Sequence, residues 1–216
     1  SPAHGFCVWN NALYAVGSFE IGPVTYGVAK WNGTGWDYFG VLPYGHYFHT
    51  AIVVNNELVL GGRALSVDGV SISHLAKWNG ASWASFPLNI TCSWSLLPEI
   101  NTIEEYNGFL YIGGVFDQIN STFSSLVFRT NGSSIDQMSL GSNYGVTDFI
   151  IYHDSVFCTG SFPFGPFPAN QGSPGIVKTA NTMWNQVDHG LKLRGNSMSK
   201  YLTDLYVGGS NINWCF

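Results

Sequence analysis

A short segment that recurs five times along the chain constrains the fold more than any other sequence feature. Each copy is an apolar run that ends at or near glycine, as in Leu-Tyr-Ile-Gly-Gly and Leu-Tyr-Val-Gly-Gly. The copies occupy residues 12–19, 57–64, 109–116, 155–162 and 204–211, so successive copies start 45 to 52 residues apart. Self-similarity at this period is typical of repeat proteins, in which each unit buries its apolar faces against its neighbours.

Turn-forming residues stand directly before four of the five copies. They are Asn10-Asn11, Asn55-Asn56, Asn107-Gly108 and His153-Asp154. Residue types that tolerate positive φ between two apolar runs are a strong signal for a tight β-hairpin. Each copy is therefore predicted to be the second strand of a hairpin.

A second segment, typified by Ala-Lys-Trp-Asn-Gly, follows the first in four of the repeats. Its copies occupy residues 28–36, 75–83, 127–135 and 176–184, and the Asn-Gly pair is replaced by Ala180-Asn181 in the last. Each repeat is thus predicted to form two antiparallel hairpins joined by a longer loop. Four antiparallel strands in a repeat of this length match the size of one propeller blade. The second strand is apolar on both faces, so we expect it between neighbouring sheets. The glycines at its end leave space for a closely approaching backbone or ring.

Together the two segments resemble the kelch-like β-propeller repeat, and more narrowly the LYVGG…AKWNG..W repeats found in surface-associated proteins. The resemblance covers nearly the whole chain and implies an all-β propeller of about five four-stranded blades. The blades would occupy approximately residues 5–42, 47–88, 102–140, 146–189 and 195–216 of a single domain spanning 1–216. We expect the fifth blade to be incomplete in this chain, because few residues follow its second strand: either the last blade is short, or chain outside these residues completes it.

Composition supports an all-β fold. Aromatic residues make up 16% of the chain and charged residues 10%, so the residues that cover helix surfaces are scarce. The net charge of −5, with only eight scattered Lys and Arg residues, argues against a nucleic-acid partner. No apolar run approaches the length of a membrane span. The opening residues contain no Met and no signal-like segment, so we expect a mature or excised segment.

Four N-x-Ser/Thr sequons lie in predicted turns or loops, where a glycan is tolerated. We predict glycosylation at Asn32, Asn89, Asn120 and Asn131. Low charge and abundant Ser, Thr, Gly and Asn accompany the sequons. These features predict an extracellular or cell-surface glycoprotein.

Four cysteines, Cys7, Cys92, Cys158 and Cys215, can pair in three ways. Cys7 lies in the first predicted strand and Cys215 lies near the chain end. A disulfide between them would therefore close the propeller ring covalently. We predict that bond. Cys158 replaces an apolar residue of the other repeats and is predicted to be buried as a small apolar side chain.

The sequence contains no recognisable catalytic or metal-binding motif. His46 and His49 are three residues apart, so they point to opposite faces of an extended chain, and no Cys, Asp or Glu stands nearby. Glu104 and Glu105 likewise face opposite ways, which leaves Asp148 as the main acid on an inner strand. No Gly-x-Ser-x-Gly elbow or phosphate loop occurs. We predict no catalytic residue, no metal and no cofactor.

Aromatic residues outside the repeat pattern are the predicted partner-binding residues. Tyr44, Tyr47 and Phe48 share one loop between blades, while Phe164 and Phe167 punctuate a proline-rich loop. The alternative for the second loop is that its rings cap the core. The repeated tryptophans, Trp31, Trp36, Trp78 and Trp83, are predicted to be structural, with sugar stacking as their alternative role.

The predicted function is a non-catalytic extracellular propeller module that binds a protein or glycan through these aromatic loops. Two alternatives stand beside it. One is a structural subunit of an extracellular assembly such as a filament, coat or appendage, in which the same loops make lattice contacts. The other is an enzyme with an unrecognised site at the propeller axis, since sites can assemble from distant loops.

Overall fold

A computed structural model describes residues 2–93, 95, 98–124, 126–138, 140, 145–161, 175–187, 191 and 194–210. Every regular element among these residues is a β-strand, and the described strands form antiparallel sheets. In this part of the chain there is consequently no helix long and apolar enough to cross a membrane. The all-β prediction is confirmed.

The chain forms two compact units, of which the first comprises residues 1–101 and 119–121. Its first sheet has the strand order β1-β2-β3-β4 and its second the order β10-β9-β6-β5. The strands are β1 (Ala3–Trp9), β2 (Ala12–Ile21), β3 (Val24–Trp31), β4 (Trp36–Leu42), β5 (Tyr47–Val54), β6 (Glu57–Arg63), β7 (Ser66–Val67), β8 (Val70–Ser71), β9 (Leu75–Trp78), β10 (Trp83–Ser85) and β11 (Ile90–Thr91). The short strands β7 and β8 pair with each other.

The second unit comprises residues 102–118 and 122–216. Its sheets have the orders β12-β13-β16-β17, β18-β19-β20-β21 and β22-β23. The strands are β12 (Glu99–Tyr106), which starts within the first unit, β13 (Phe109–Val115), β14 (Gln118–Ile119), which ends within the first unit, β15 (Thr122–Phe123), β16 (Val127–Thr130), β17 (Ile135–Gln137), β18 (Val146–Tyr152), β19 (Ser155–Gly160), β20 (Ile176–Thr179), β21 (Asn185–Gln186), β22 (Arg194–Tyr201) and β23 (Asp204–Ser210).

The hairpin turns form where the sequence predicts them. Both residues of each predicted turn have positive φ, for example 47° and 58° at Asn10 and Asn11 and 52° and 75° at Asn107 and Gly108. The five repeated segments are the strands β2, β6, β13, β19 and β23, each of which pairs with the strand before it. The prediction that each copy is the second strand of a hairpin is confirmed, because turn chemistry acts locally.

The prediction of a longer loop between the two hairpins is wrong for the first repeat. There β2 continues to Ile21, which pairs with Val24, and the two strands turn tightly through Gly22 at a φ of 61°. In the second repeat the connection is longer and contains the hairpin of β7 and β8. Glycine at the turn allows the first repeat to omit the loop, since positive φ brings no steric penalty there.

A β-bulge interrupts the first strand of four repeats at the same place. The register shifts at His4 in β1, His49 in β5, Thr147 in β18 and Asn196 in β22. A bulge puts one extra residue on one strand and redirects its side chain. In the first unit, the bulges redirect the side chains of two histidines, His4 and His49.

Apolar side chains fill the space between the two sheets of the first unit. Val16, Val28, Leu58 and Leu60 are fully buried there, and the Phe48 ring stacks on Trp83 at a centroid distance of 6.3 Å. The alternation of side chains along each strand sends these residues to the facing sides. Strand β6 is buried on both faces, as its continuous apolar run predicts.

The core of the second unit is likewise formed by buried apolar side chains. Cys158 is fully buried among apolar side chains, as predicted, and burial raises the pKa of its thiol well above the usual value. Trp184 is also buried, and its indole Nε1 donates to the carbonyl oxygen of Met138 at 2.9 Å. Trp83 is buried and has the structural role predicted for it, and Trp184, which stands at the equivalent position of the fourth repeat, is a core residue as well.

Asparagine side chains hold the turns between the third and fourth strands of three repeats. The Oδ1 of Asn79 accepts hydrogen bonds from the backbone N–H groups of Ala81 and Ser82 at 2.9 and 2.8 Å. Asn32 and Asn131 each accept two backbone N–H bonds in the same way. Because Asn79 belongs to no sequon, the recurrence of asparagine at this position has a structural reason that is independent of glycosylation.

Replacing Asn79 with alanine is expected to lower the free energy of unfolding by about 1–2 kcal/mol, because two backbone donors lose their acceptor. Asn79→Asp keeps an acceptor oxygen in the same place and should retain most of the stability. Urea denaturation followed by circular dichroism measures both variants. Equal losses in the two variants would show that the turn does not depend on this oxygen.

Candidate functional site

A tight turn holds Tyr44 away from the body of the first unit. The backbone N–H of His46 donates to the carbonyl oxygen of Pro43 at 3.1 Å, and Gly45 has a φ of 78°. Glycine suits this position of the turn because positive φ strains other residues. Tyr44 is 91% exposed. The turn of residues 43–46, called the Tyr44 turn below, therefore presents an aromatic ring to solvent on a hydrogen-bonded backbone.

The other two aromatic residues predicted for this loop lie at different depths. Tyr47 is half-buried, whereas Phe48 is fully buried and belongs to the core between the sheets. Adjacent residues of a strand point to opposite faces, so Phe48 is directed inward at the start of β5. Its ring is accordingly not available at the surface beside Tyr44.

Seven polar or titratable side chains gather next to the Tyr44 turn, and we call them the histidine cluster. Its members are His4, His46, Tyr47, His49, Arg63, His74 and Glu99. The bulges in β1 and β5 bring the rings of His4 and His49 to a centroid distance of 4.6 Å. Tyr47 lies 5.0 Å from His49 and 5.5 Å from His4 by the same measure.

Glu99 is the acidic member of the cluster. Its Oε1 lies 2.5 Å from Nε2 of His49. Burial by itself would raise the pKa of Glu99, but hydrogen bonds from His49 and Tyr47 and the charge of Arg63 lower it below its usual value. Glu99 is therefore a carboxylate whose charge is already compensated within the cluster.

Arg63 and His74 are neighbours within the cluster, next to Tyr47. Arg63 ends β6 and is the register partner of Tyr47. The backbone of His74 pairs with both neighbours of Arg63: Gly62 N–H donates to the His74 carbonyl at 3.1 Å, and His74 N–H donates to the Ala64 carbonyl at 3.0 Å. These pairings place His74 directly beside Arg63.

Among the described residues, two buried nitrogen atoms of this pair have no hydrogen-bond partner, namely Nε of Arg63 and Nδ1 of His74. His74 is only 2% exposed. Burial, followed by the proximity of His46 and Arg63, lowers the pKa of His74 to about 4, so its imidazole is neutral at physiological pH. Nδ1 of His46 accepts a long hydrogen bond of 3.5 Å from the Leu65 N–H.

Sequence reasoning missed this cluster because no acid stands near His46 and His49 in the chain. Glu99 comes to His49 from the start of a different repeat. One signal was available: His4 and His49 stand at the same distance before their Asn-Asn turns, so the repeat itself makes them equivalent. No group of three or more His, Cys, Asp or Glu residues in the described ranges is arranged to hold a metal ion.

A shallow groove of about 480 Å³ lies elsewhere on the first unit, at the Trp31 side chain. Trp31 is 38% exposed and makes an edge contact with Trp36 at 5.4 Å between centroids. Leu13, Lys30 and Asp37 also line the groove. Unlike Trp83, Trp31 is not a core residue.

Asp148 of the second unit has a structural partner. Asp148 accepts a hydrogen bond from the Met198 N–H at 2.6 Å, much as Thr102 Oγ1 accepts one from the Phe149 N–H at 3.1 Å. Burial and the nearby Asp148 raise the pKa of Glu104 to about 7. Asp148 thus links neighbouring first strands within this unit.

The remaining predicted residues are only partly described. All four sequon asparagines are exposed, and their glycosylation stays a prediction. No disulfide joins two cysteines of the described ranges, and burial raises the pKa of the Cys7 thiol to about 11. Cys215, Phe164 and Phe167 lie outside the described residues, so the Cys7–Cys215 bond and the second aromatic loop stay predictions.

No protein-family model matches the chain, and no curated protein matches it either.

Proposed function

We propose that this chain is a non-catalytic β-propeller module, extracellular or at the cell surface, that binds a protein or glycan partner at the Tyr44 turn. The observation that carries the proposal is the 91% exposed tyrosine ring on a turn closed by a backbone hydrogen bond. Such a ring loses little conformational entropy on binding, and tyrosine is enriched among the residues that dominate interface energies. The adjacent histidine cluster supplies polar groups around it.

The repeat supports the propeller part of the proposal. Phe6 in β1 is 60% exposed, whereas Ile103 and Phe149, which stand at the same position of their repeats, are each 3% exposed. A face that is buried in later repeats but open in the first is expected to be covered by a further sheet of the same kind. A propeller provides such a sheet, because its blades stack face to face around an axis.

The exposed face of β1 also favours a second candidate function, a structural subunit of an extracellular assembly. Phe6 and Val8 project from the same face and are 60% and 67% exposed. Exposed apolar patches of this kind mark interaction sites. Ordered polymers of the purified protein on electron micrographs would favour assembly over partner binding.

Replacing Tyr44 with alanine is expected to weaken partner binding at least about tenfold, because the anchor ring is removed. The melting temperature should hardly change, since the ring contributes little to the core. Binding is measured on a glycan array and on intact cells with the fluorescently labelled protein. Tyr201→Ala, at another highly exposed tyrosine, is the matched control. Unchanged binding by Tyr44→Ala, or an equal loss in both variants, would contradict the proposal.

A further inference from the structure

An aromatic residue directly before the first turn of a repeat contacts the next sheet at three places in the chain. The hydrogen bonds join Trp9 to Asn56 in the first unit and, in the second unit, Tyr106 to Asp154 and Tyr152 to Thr203. Their donor–acceptor distances are 3.3, 2.6 and 2.6 Å. In each pair the acceptor is the second residue of the first turn of the next repeat, 47 to 51 residues further along the chain. The contact is therefore a repeated link between consecutive sheets of one unit.

The groove of about 480 Å³ at Trp31, called the Trp31 groove below, has the position that such an aromatic ring occupies in the next repeat. In the second repeat, the Trp9 ring contacts both turns: its Nε1 donates to the first turn, and its Cη2 lies 3.2 Å from the place that a Cβ on Gly80 would occupy in the second. Asn11 and Gly33 are the equivalent turn residues of the first repeat, and both line the Trp31 groove. Among the described residues, no atom lies within 4 Å of the place that a Cβ on Gly33 would occupy. The groove therefore has room where an indole ring lies one repeat later.

Apolar side chains of the first sheet are exposed next to the groove. Leu13 and Trp31, which line it, are exposed, and so is Val8, the register partner of Leu13. Leu58, the equivalent of Leu13 in the second repeat, is fully buried in the core between the two sheets of the first unit. Exposed apolar patches of this kind mark interaction sites. Within the described part of the chain, the first sheet thus lacks the neighbour that the second sheet has on the equivalent face.

The last described sheet carries the matching donor. Tyr201 stands directly before the first turn of the fifth repeat, at the position of Trp9, and Tyr206 stands at the position of Tyr14. Where the next sheet covers this pair of rings, in the first repeat, Trp9 and Tyr14 are buried at a centroid distance of 5.7 Å. Tyr201 and Tyr206 are instead 67% and 54% exposed. Two rings that belong to the core in the first repeat are therefore open to solvent in the fifth.

We propose that this chain assembles head to tail, with Tyr201 of one copy bound in the Trp31 groove of a second copy. The Tyr201 hydroxyl would donate to Asn11, as the equivalent donors do within the chain. A second copy is the occupant because one chain exposes both the donor and the groove, and the contact continues the interface that its own sheets repeat. The proposal rests on the second candidate function, a structural subunit, and names its assembly contact. Each added copy leaves one donor and one groove free, so the contact builds a filament or a closed ring.

The test is sedimentation equilibrium of the whole purified chain over a series of concentrations. The average mass of the wild-type protein should rise with concentration beyond that of a dimer. Tyr201→Ala and Trp31→Ala should each raise the dissociation constant at least about tenfold, because each removes an aromatic ring from the contact. Phe123→Ala is the matched control, since this 62% exposed ring lies in β15 and belongs to neither face, and it should associate like the wild type.

A mixing experiment tests the head-to-tail direction. Tyr201→Ala keeps the groove, and Trp31→Ala keeps the tyrosine donor, so an equimolar mixture of these two weakly associating variants should form a one-to-one dimer that grows no further. A symmetric interface, in which both copies use the same face, would give no such recovery. Failure of the mixture to associate would therefore overturn the proposal, as would equal self-association of Tyr201→Ala and the wild type.

A wild-type protein that stays monomeric at every concentration would also overturn the assembly. If its melting temperature then fell in Tyr201→Ala, the same ring would be covered within a single chain. Should Trp31→Ala fail to fold, Leu13→Lys replaces it in both experiments, because it puts a charge on the exposed apolar face beside the groove. These measurements need no glycan or cells, so their outcome does not depend on the Tyr44 turn. Tyr201→Ala should lose self-association while its monomer keeps partner binding, and the two proposals can therefore fail separately.

Discussion

Replacing Phe48 with alanine is expected to lower the free energy of unfolding by about 3–5 kcal/mol. The ring is fully buried, stacks on Trp83 and lies against the backbone at Gly27, where an added Cβ would be 2.7 Å from it. Its loss leaves a cavity between the two sheets of the first unit, which surrounding side chains can fill only in part. Urea denaturation measured by tryptophan fluorescence gives the change.

Tyr44→Ala is the matched control for Phe48→Ala, because the two aromatic residues stand four positions apart in the chain. Truncation at Tyr44 should change the free energy of unfolding by less than about 0.5 kcal/mol. The opposite pattern, with Phe48→Ala as stable as the wild type but defective in binding, would mean that Phe48 acts at an interface and not in the core.

Replacing Gly62 with alanine is expected to destabilise the protein by about 3 kcal/mol. An added Cβ would meet the carbonyl oxygen of Tyr47 and would lie 2.6 Å from the Cα of Phe48. Both contacts are with backbone at the bulge of β5, which cannot move aside as a flexible side chain can. The equivalent Gly17 and Gly209 have the same conflict with the carbonyl oxygens of Pro2 and Arg194. Differential scanning calorimetry measures the change in melting temperature.

Gly35→Ala is the control for this substitution. Gly35 lies in the turn after β3, and no atom stands within 4 Å of the place that an added Cβ would occupy. The change should therefore stay within about 0.5 kcal/mol. Similar losses at Gly35 and Gly62 would indicate a general effect of removing glycine, with no special role for the close approach at the bulge.

The close backbone approach at Gly62 was predictable from the sequence, but the bulge beside it was not. The glycines that end the repeated strands predict a closely approaching backbone, and at Gly62 that backbone is present. The bulge that brings it there was not predictable, because no residue type marks the shift at His49. The bulge also decides the direction of His49 toward Glu99.

In the loop that contains Tyr44 and Phe48, one feature likewise follows from the local sequence and the other does not. Exposure of Tyr44 follows from local chemistry, since Pro43 and Gly45 favour a tight turn around it. Burial of Phe48 depends instead on Trp83, which comes from the far end of the same repeat. A window of sequence around residue 48 contains no information about that partner.

Residue types and their order were enough to predict the all-β class and the repeated hairpins, because turn residues and apolar runs act over a few neighbouring positions. The candidate site depends on contacts between distant parts of the chain. His4, His49 and Glu99 meet because β1 packs beside β5 and because bulges redirect both histidines. Arg63 and His74 likewise become neighbours through backbone pairing across a loop. Such contacts depend on register and packing, which residue types alone do not specify.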